Sequence, residues 1–220
     1  MSTINIAIDG PAGAGKSTAA KNISNILGII YLDTGAMYRT VALKAIRLGV
    51  DTKDEASLEE LVKNIDIRVE YINNEQHIYL DGEDVSGLIR TPEVSIGASD
   101  VAVMPTVRIK LVELQRKIAD QNNVVMDGRD IGTYVLPRAK YKFYVTASIQ
   151  ERAKRRYNEL LGKGAQNVSL EEVAKDISYR DRNDSSRAFA PLSKAADAVE
   201  IDTTGLSPKE VTELILSHLK

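Results

Sequence analysis

The eight residues Gly10-Pro11-Ala12-Gly13-Ala14-Gly15-Lys16-Ser17 constrain this chain more than any other segment. They follow an alternating run, Ile4, Ile6 and Ile8 with Ala7 between the last two, which predicts a buried strand over 3–9. They precede Ala19, Ala20, Ile23, Ile26 and Leu27, a helical spacing stopped by Gly28. A strand that turns through glycines into a helix commits the chain to an α/β arrangement. The same alternation continues downstream. Further strands are predicted at 29–32, 124–127, 141–146 and 199–202. Helices are predicted at 36–48, 58–62, 105–121, 149–161, 170–179 and 208–219. Strands separated by helices imply a parallel sheet covered on both faces. Ligands of such sheets sit at the carboxyl ends of the strands. Asp9, Asp33, Asp127 and Asp202 all fall there.

One stretch breaks the pattern. Ile65, Ile67, Val69 and Tyr71 alternate, as do Ile78 and Leu80, with Asn73-Asn74 between the runs. This predicts an antiparallel hairpin inserted at about 65–85. No internal repeat or low-complexity tract interrupts the chain. With 220 residues it suits one domain carrying insertions. Its 43% hydrophobic and 27% charged residues are those of a globular protein, which excludes disorder and collagen. No cysteine is present, so disulfides and thiolate metal sites are excluded, and a reducing, cytoplasmic setting is expected. The first residues carry no basic segment and reach a charge by Asp9, unlike a signal peptide. No run approaches the ~18 apolar residues of a membrane span. A net charge of -2 argues against general nucleic-acid binding.

The Gly10 to Ser17 run fits G-x-x-x-x-G-K-[ST] between a strand and a helix, the setting of a phosphate-binding P-loop. Glycines let backbone N–H groups turn inward around phosphate oxygens, and the helix N-terminus adds a positive dipole. Gly10, Pro11, Ala12, Gly13, Ala14, Gly15, Lys16, Ser17 and Thr18 are therefore the expected ATP-binding residues. Lys16 would reach the β- and γ-phosphates. Ser17 suits Mg²⁺, with Asp127 supporting the ion through water. The loop names a nucleotide and not a reaction. GTPases, ATPases, nucleotide switches and small-molecule kinases all carry it. The Asn-Lys-x-Asp element that reads guanine is missing, since Thr52-Lys53-Asp54 has the wrong spacing.

Three more segments carry charge at predicted strand ends or on helix faces. They are Asp33-Thr34-Gly35-Ala36-Met37-Tyr38-Arg39, Asp127-Gly128-Arg129-Asp130, and Arg180, Asp184 and Arg187 spaced i, i+4, i+7. The last three would share one helical face, with the carboxylate between two guanidiniums. Arg152, Arg155 and Arg156 share a helical turn. Each alone also fits a solvated residue or a surface ion pair. Together they fit phosphoryl transfer, because arginine's planar fork binds phosphate with two bonds and stays charged. If the acceptor is itself a phosphate, its oxygen is already anionic near neutral pH and needs no general base. His77 and His218 lie apart from these segments and are expected to be solvated.

Over essentially its whole length the chain resembles the bacterial cytidylate kinase family, within the nucleoside monophosphate kinases. The specific segments are 33–39, Gly82-Glu83-Asp84-Val85-Ser86 with Ile89-Arg90-Thr91, 127–133, and Arg187-Ala188-Phe189-Ala190-Pro191-Leu192. The resemblance implies transfer of the γ-phosphoryl of ATP to CMP or dCMP with Mg²⁺. It implies a single domain over 1–220 with a five-stranded parallel core of P-loop NTPase type. A monophosphate-binding region at 35–104 and a helical lid at 152–182 would flank that core. Ser99, Arg108 and Asp130 would read cytosine. Arg39 and Arg129 would hold the acceptor phosphate. Thr34, Arg180, Asp184 and Arg187 would hold sugar and phosphate. Lys16, Arg129, Arg152, Arg156 and Arg182 would serve the transferred phosphoryl, with Gly162 and Gly164 as flexible points of the lid. Thr34 stands where some relatives have Ser, which keeps the hydroxyl. Residues 203–206 fall by position near the adenine. A cytoplasmic monomer, with no nucleic-acid or membrane partner, completes the expectation.

Overall fold

The computed structural model describes residues 3–73, 75–166 and 168–219. Outside them lie the first two residues of the amino-terminal reading and Asn74, the second residue of the expected hairpin turn. The strands β1 (Asn5–Asp9), β2 (Ile30–Asp33), β6 (Val124–Gly128), β7 (Tyr141–Thr146) and β8 (Val199–Asp202) form one sheet in the order β2-β6-β1-β7-β8. Every pairing in it is parallel. Because successive side chains point to opposite faces, each central strand feeds two cores. Ile6 and Ile8 pack with Ala20, Ile23, Phe143 and Ile215 on the side of α1 (Lys16–Leu27) and α8 (Pro208–Ser217). Ala7, Met126 and Leu32 pack on the other side, with Met37 and Val41 of α2 (Thr34–Arg47) and Leu111 of α5 (Pro105–Gln121). A strand buried on both faces reads as a near-continuous apolar run, which is why β1 and β6 stand out in the sequence, whereas the edge strand β8 shows only Val199 and Ile201 between exposed acids.

The stretch between β2 and β6 holds α2, α3 (Glu55–Lys63), the strands β3 (Ile67–Ile72), β4 (Glu75–Leu80) and β5 (Glu83–Asp84), α4 (Pro92–Val101) and α5. β3, β4 and β5 make a separate antiparallel sheet. The expected hairpin is therefore present with one more short strand. Asn73 takes φ 52°, the left-handed conformation that asparagine tolerates in tight turns. The hairpin docks on the main sheet and on α1: the backbone N–H of Asp33 in β2 donates to Gln76 Oε1 at 2.7 Å, and Lys21 of α1 pairs with Glu75 at 2.8 Å.

Helices α6 (Ile149–Gly162) and α7 (Leu170–Ser186) pack on each other through their own small core of Ala153, Leu160, Val173 and Ile177. α7 starts in a capping box between Ser169 and Glu172 and runs seven residues beyond the expected end at 179. After β6 the chain makes one wide helical turn over Ile131–Val135. Asp9 fixes that turn. Its two carboxylate oxygens accept from the backbone N–H groups of Ile131 and Gly132, each at 2.7 Å. Burial pushes the Asp9 carboxyl up to about 7, outweighing those two bonds. Replacing Asp9 with Ala leaves both buried amides unpaired, so urea unfolding should show a loss of about 2–5 kcal/mol. A loss of a few tenths would contradict this role.

Candidate functional site

The turn from β1 to α1 is shaped by contact with β7. A Cβ on Gly10, whose φ is +144°, would lie 1.9 Å from the Val145 carbonyl oxygen, so only glycine fits. The loop folds around its own lysine: Lys16 is buried and its ammonium donates to the Pro11 carbonyl at 2.7 Å. Burial, and then the nearby Arg129, pushes the Lys16 amine down to about 7. Ser17 donates to Asp127 Oδ2 at 2.8 Å, and Tyr31 donates to Oδ1 at 2.8 Å. The sequence-based acid therefore meets the P-loop hydroxyl directly.

Beside the loop is a cavity of about 160 Å³. All nine residues expected to hold the acceptor line it: Thr34, Arg39, Ser99, Arg108, Arg129, Asp130, Arg180, Asp184 and Arg187. Lys16, Ser17 and Asp127 line it too. It shares Lys16, Ser17, Asp33, Arg39 and Arg180 with a larger groove of about 980 Å³. That groove runs past Gly15 and Thr18 to Arg155, Arg156, Leu206 and Val211.

Most of these cations are held on carboxylates. Arg108 is fully buried and pairs with Asp130 Oδ2. Its guanidinium lies 5.7 Å from the Tyr38 ring centroid and 5.9 Å from that of Phe189. Arg187 reaches the other Asp130 oxygen at 3.3 Å. Burial raises the Asp130 carboxyl against the pull of both guanidiniums. Arg129 Nε donates to Asp184 Oδ2 at 2.6 Å. Burial works against ionisation of Asp184, yet Arg129 and Arg187 hold it below its ordinary value. Arg39 donates to Asp33 Oδ2 at 2.6 Å. A Cβ on Gly35 would come within 3.2 Å of both partners of that pair.

Arg180 differs. Among the described residues it has no carboxylate oxygen within 4 Å, and no hydrogen bond. Burial, followed by Arg129, pushes its guanidinium down to about 10. An uncompensated cation beside other cations is a place for an anion. The expected stripe of Arg180, Asp184 and Arg187 is thus only partly formed. The carboxylate sits between Arg129 and Arg187, because α7 ends at Ser186 and Arg187 continues in extended backbone. The Thr34 hydroxyl donates to the Asp127 carbonyl at 2.7 Å, so only its lone pairs remain for a ligand.

The expected lid arginines divide. Arg156 lines the larger groove and pairs with Glu159 at 2.8 Å. Arg155 donates to the Thr203 carbonyl at 2.6 Å, tying α6 to the segment after β8. Arg152 is buried under the P-loop, bonded to the carbonyls of Ala12 and Ala147 and to Asp181. It lines neither cavity, since its donors serve the loop rather than open space. Arg182 is exposed on α7 and also lines neither. Sequence reading missed Asp33 as the partner of Arg39, Tyr38 as a cavity wall, and Asp181, which accepts from the Ala12 N–H at 3.1 Å. Asp33 and Tyr38 lie inside a segment already singled out; Asp181 carries no sequence signal. His77 pairs with Asp84 at 2.8 Å in the hairpin sheet and lines neither cavity.

A family model described as cytidylate kinase matches residues 6–220. The cytidylate kinase of Halalkalibacterium halodurans is 50% identical over 220 residues, covering 100% of this chain and 99% of that one. The cytidylate kinase of Clostridioides difficile is 50% identical over 219 residues, covering 100% and 99%. Among solved structures, an uncharacterized protein from Eubacterium ventriosum aligns with a TM-score of 0.54 at 16% identity, over 99% of this chain and 98% of that chain. That last likeness shows the fold alone.

The lowered Lys16 pKa makes a pH prediction. Above about pH 7 the free amine is partly deprotonated, and an anionic phosphate on the loop raises its pKa again. ATP binding at about pH 8 should take up a proton, in calorimetry repeated in buffers of different ionisation enthalpy. Lys16→Met should abolish that uptake; equal uptake in both proteins would contradict it.

Proposed function

The chain belongs to the cytidylate kinase family, and from that premise we propose that it transfers the γ-phosphoryl group of ATP to CMP or dCMP, giving ADP and CDP or dCDP. The observation that carries this reading is the convergence of all nine acceptor residues on one cavity that opens onto Lys16 and Ser17. ATP lies along the P-loop and the larger groove, its phosphates on Gly10 to Thr18 and its base toward Leu206 and Val211. The acceptor phosphate sits among Arg39, Arg129 and Arg180. Its oxygen, with a second pKa of about 6, attacks the γ-phosphorus without a general base. Catalysis is then alignment and charge stabilisation by Lys16, Arg129 and Arg156.

Asp130 accounts for base choice. A carboxylate offers about four lone-pair sites, and Arg108 and Arg187 use two. Cytosine N4 can donate to a third, whereas uracil presents an acceptor there. Ser99 accepts from Asn183 at 3.2 Å and keeps its hydroxyl hydrogen for the base.

Ser17 and Asp127 fit Mg²⁺, a hard ion that takes oxygen ligands and keeps several waters. Among the described residues no group of three acidic or histidine side chains forms a cage, so phosphate and water would complete its shell. When bound, the ion neutralises charge between the β- and γ-phosphates.

The region 35–104 receives the monophosphate and 152–182 forms the lid. Support for the lid comes from its separate core and from Gly162 and Gly164 at the joint. Closure excludes water as a rival acceptor. It is also the motion that would bring Arg182 toward the phosphates, while Arg152 braces the loop from beneath. No helix among the described residues is long and apolar enough to cross a membrane. That fits the cytoplasmic setting expected from the missing cysteines. The protein is read as acting on small-molecule substrates as a monomer; large exposed apolar residues such as Ile26, Leu48 and Ile109 come from separate parts of the chain.

A panel of acceptors with labelled ATP tests the reading. CMP and dCMP should be converted, and kcat/KM for UMP should be lower by about 10⁴-fold, the penalty for a mispaired buried polar group. Comparable turnover of UMP or of shikimate would overturn it. In the same assay ATP hydrolysis without an acceptor should be slow. Fast acceptor-independent hydrolysis would contradict lid closure.

A further inference from the structure

Arg90, in the segment Ile89-Arg90-Thr91, carries none of the individual roles assigned above within the monophosphate-binding region. Its neighbours fix it in place: Ile89 is buried, and Thr91 caps α4 by accepting from the Val94 N–H at 3.2 Å. The Arg90 side chain is 55% exposed and extends across to the core, where its Nη2 lies 3.2 Å from Asp33 Oδ2. Arg39 Nη2 lies 2.6 Å from the same oxygen. The other Asp33 oxygen accepts from the Ala36 N–H at 2.9 Å. Two guanidiniums thus share one buried carboxylate at the end of β2. One of them, Arg39, lines the acceptor cavity and both line the larger groove.

This sharing has a consequence for binding. Arg39 holds Asp33 through Nη2 alone and its buried Nε has no partner, so an acceptor phosphate can draw the guanidinium away from Asp33. A buried carboxylate stripped of its cation is strongly unfavourable, and it would stand close to an incoming dianion. We propose that Arg90 is a positioning residue for the acceptor: it stays on Asp33 and neutralises it when Arg39 turns to the acceptor phosphate. Burial opposes ionisation of Asp33, but Arg39 and Arg90 together hold it below its ordinary value, consistent with both guanidiniums acting on it. The charge that Arg90 leaves on Asp33 is the charge that Arg39 is free to move. Arg90 also links the inserted monophosphate region to the main sheet through this one carboxylate. The inference rests on the functional reading above, since it needs a phosphorylated acceptor.

Calorimetric titration of CMP into five proteins separates the possibilities: wild type, Arg90→Ala, Arg90→Lys, Arg39→Ala and the Arg39→Ala, Arg90→Ala double variant. Arg90→Ala should weaken CMP binding by about tenfold, a coupling usual for charged groups in one network. In the Arg39→Ala background the same change should cost distinctly less, because no arginine then has to leave Asp33 and only the repulsion between the bare carboxylate and the phosphate remains. Arg90→Lys should restore most of the affinity, since it restores the charge. An unchanged affinity in Arg90→Ala overturns the proposal. So does an equal loss in both backgrounds, which would place Arg90 on the phosphate itself. Thermal melts of each variant identify any loss due to unfolding, and Arg90→Lys then carries the comparison. A wild-type protein that fails to bind CMP overturns the functional reading and this inference with it.

Discussion

Arg108 has no exposed surface, and its one carboxylate partner among the described residues is Asp130, just past the end of β6. A guanidinium in that position could not exist without a fixed negative partner, because an unpaired buried charge is among the most unfavourable features a fold can carry. The same arrangement recurs around the cavity, with Arg129 on Asp184, Arg187 on Asp130 and Asp184, and Arg39 on Asp33. These pairs hold a dense set of cations in the fold before any ligand arrives. They also set what the site accepts. A ligand must bring enough negative charge to draw some of these arginines from their partners. Arg180, with no carboxylate within 4 Å among the described residues, marks where that charge is least compensated.

The parallel sheet makes this arrangement possible. Strands that all run the same way deliver their carboxyl ends to one edge, so Asp9, Asp33 and Asp127 arrive within reach of the P-loop and of one another. Each then does a different task. Asp9 fixes the turn after β6, Asp33 carries two arginines, and Asp127 receives the Ser17 hydroxyl. Lysines take little part, apart from Lys16. The overall charge of -2 averages a nearly neutral surface with a cleft of buried ion pairs.

The five core strands and the P-loop were legible because both depend on local patterns: apolar runs for the strands, glycines with Lys16 and Ser17 for the loop. Helix α4 was not. Seven of its ten residues are buried, among them Ser95, Gly97, Ser99 and Asp100, so it lacks the contrast between faces that marks an amphipathic helix. Gly97 lets it lie close to α2, where a Cβ would come 3.2 Å from that of Ala42. The far end of α7 shows no apolar periodicity; only the spacing of Arg180 and Asp184, both lining the cavity, marks it as helical in the sequence. Residue roles divided in the same way. Arg39, Arg129 and Asp130 could be picked out by their segments. That Arg152 braces the P-loop, or that Arg90 shares Asp33 with Arg39, depends on contacts between residues far apart in sequence.

A crystal structure of the protein with CMP tests the central claim most directly. The account predicts the phosphate within hydrogen-bond distance of Arg39, Arg129 and Arg180, with the cytosine amino group on Asp130. CMP bound away from this cavity, or in it with its base facing the P-loop, would contradict the account.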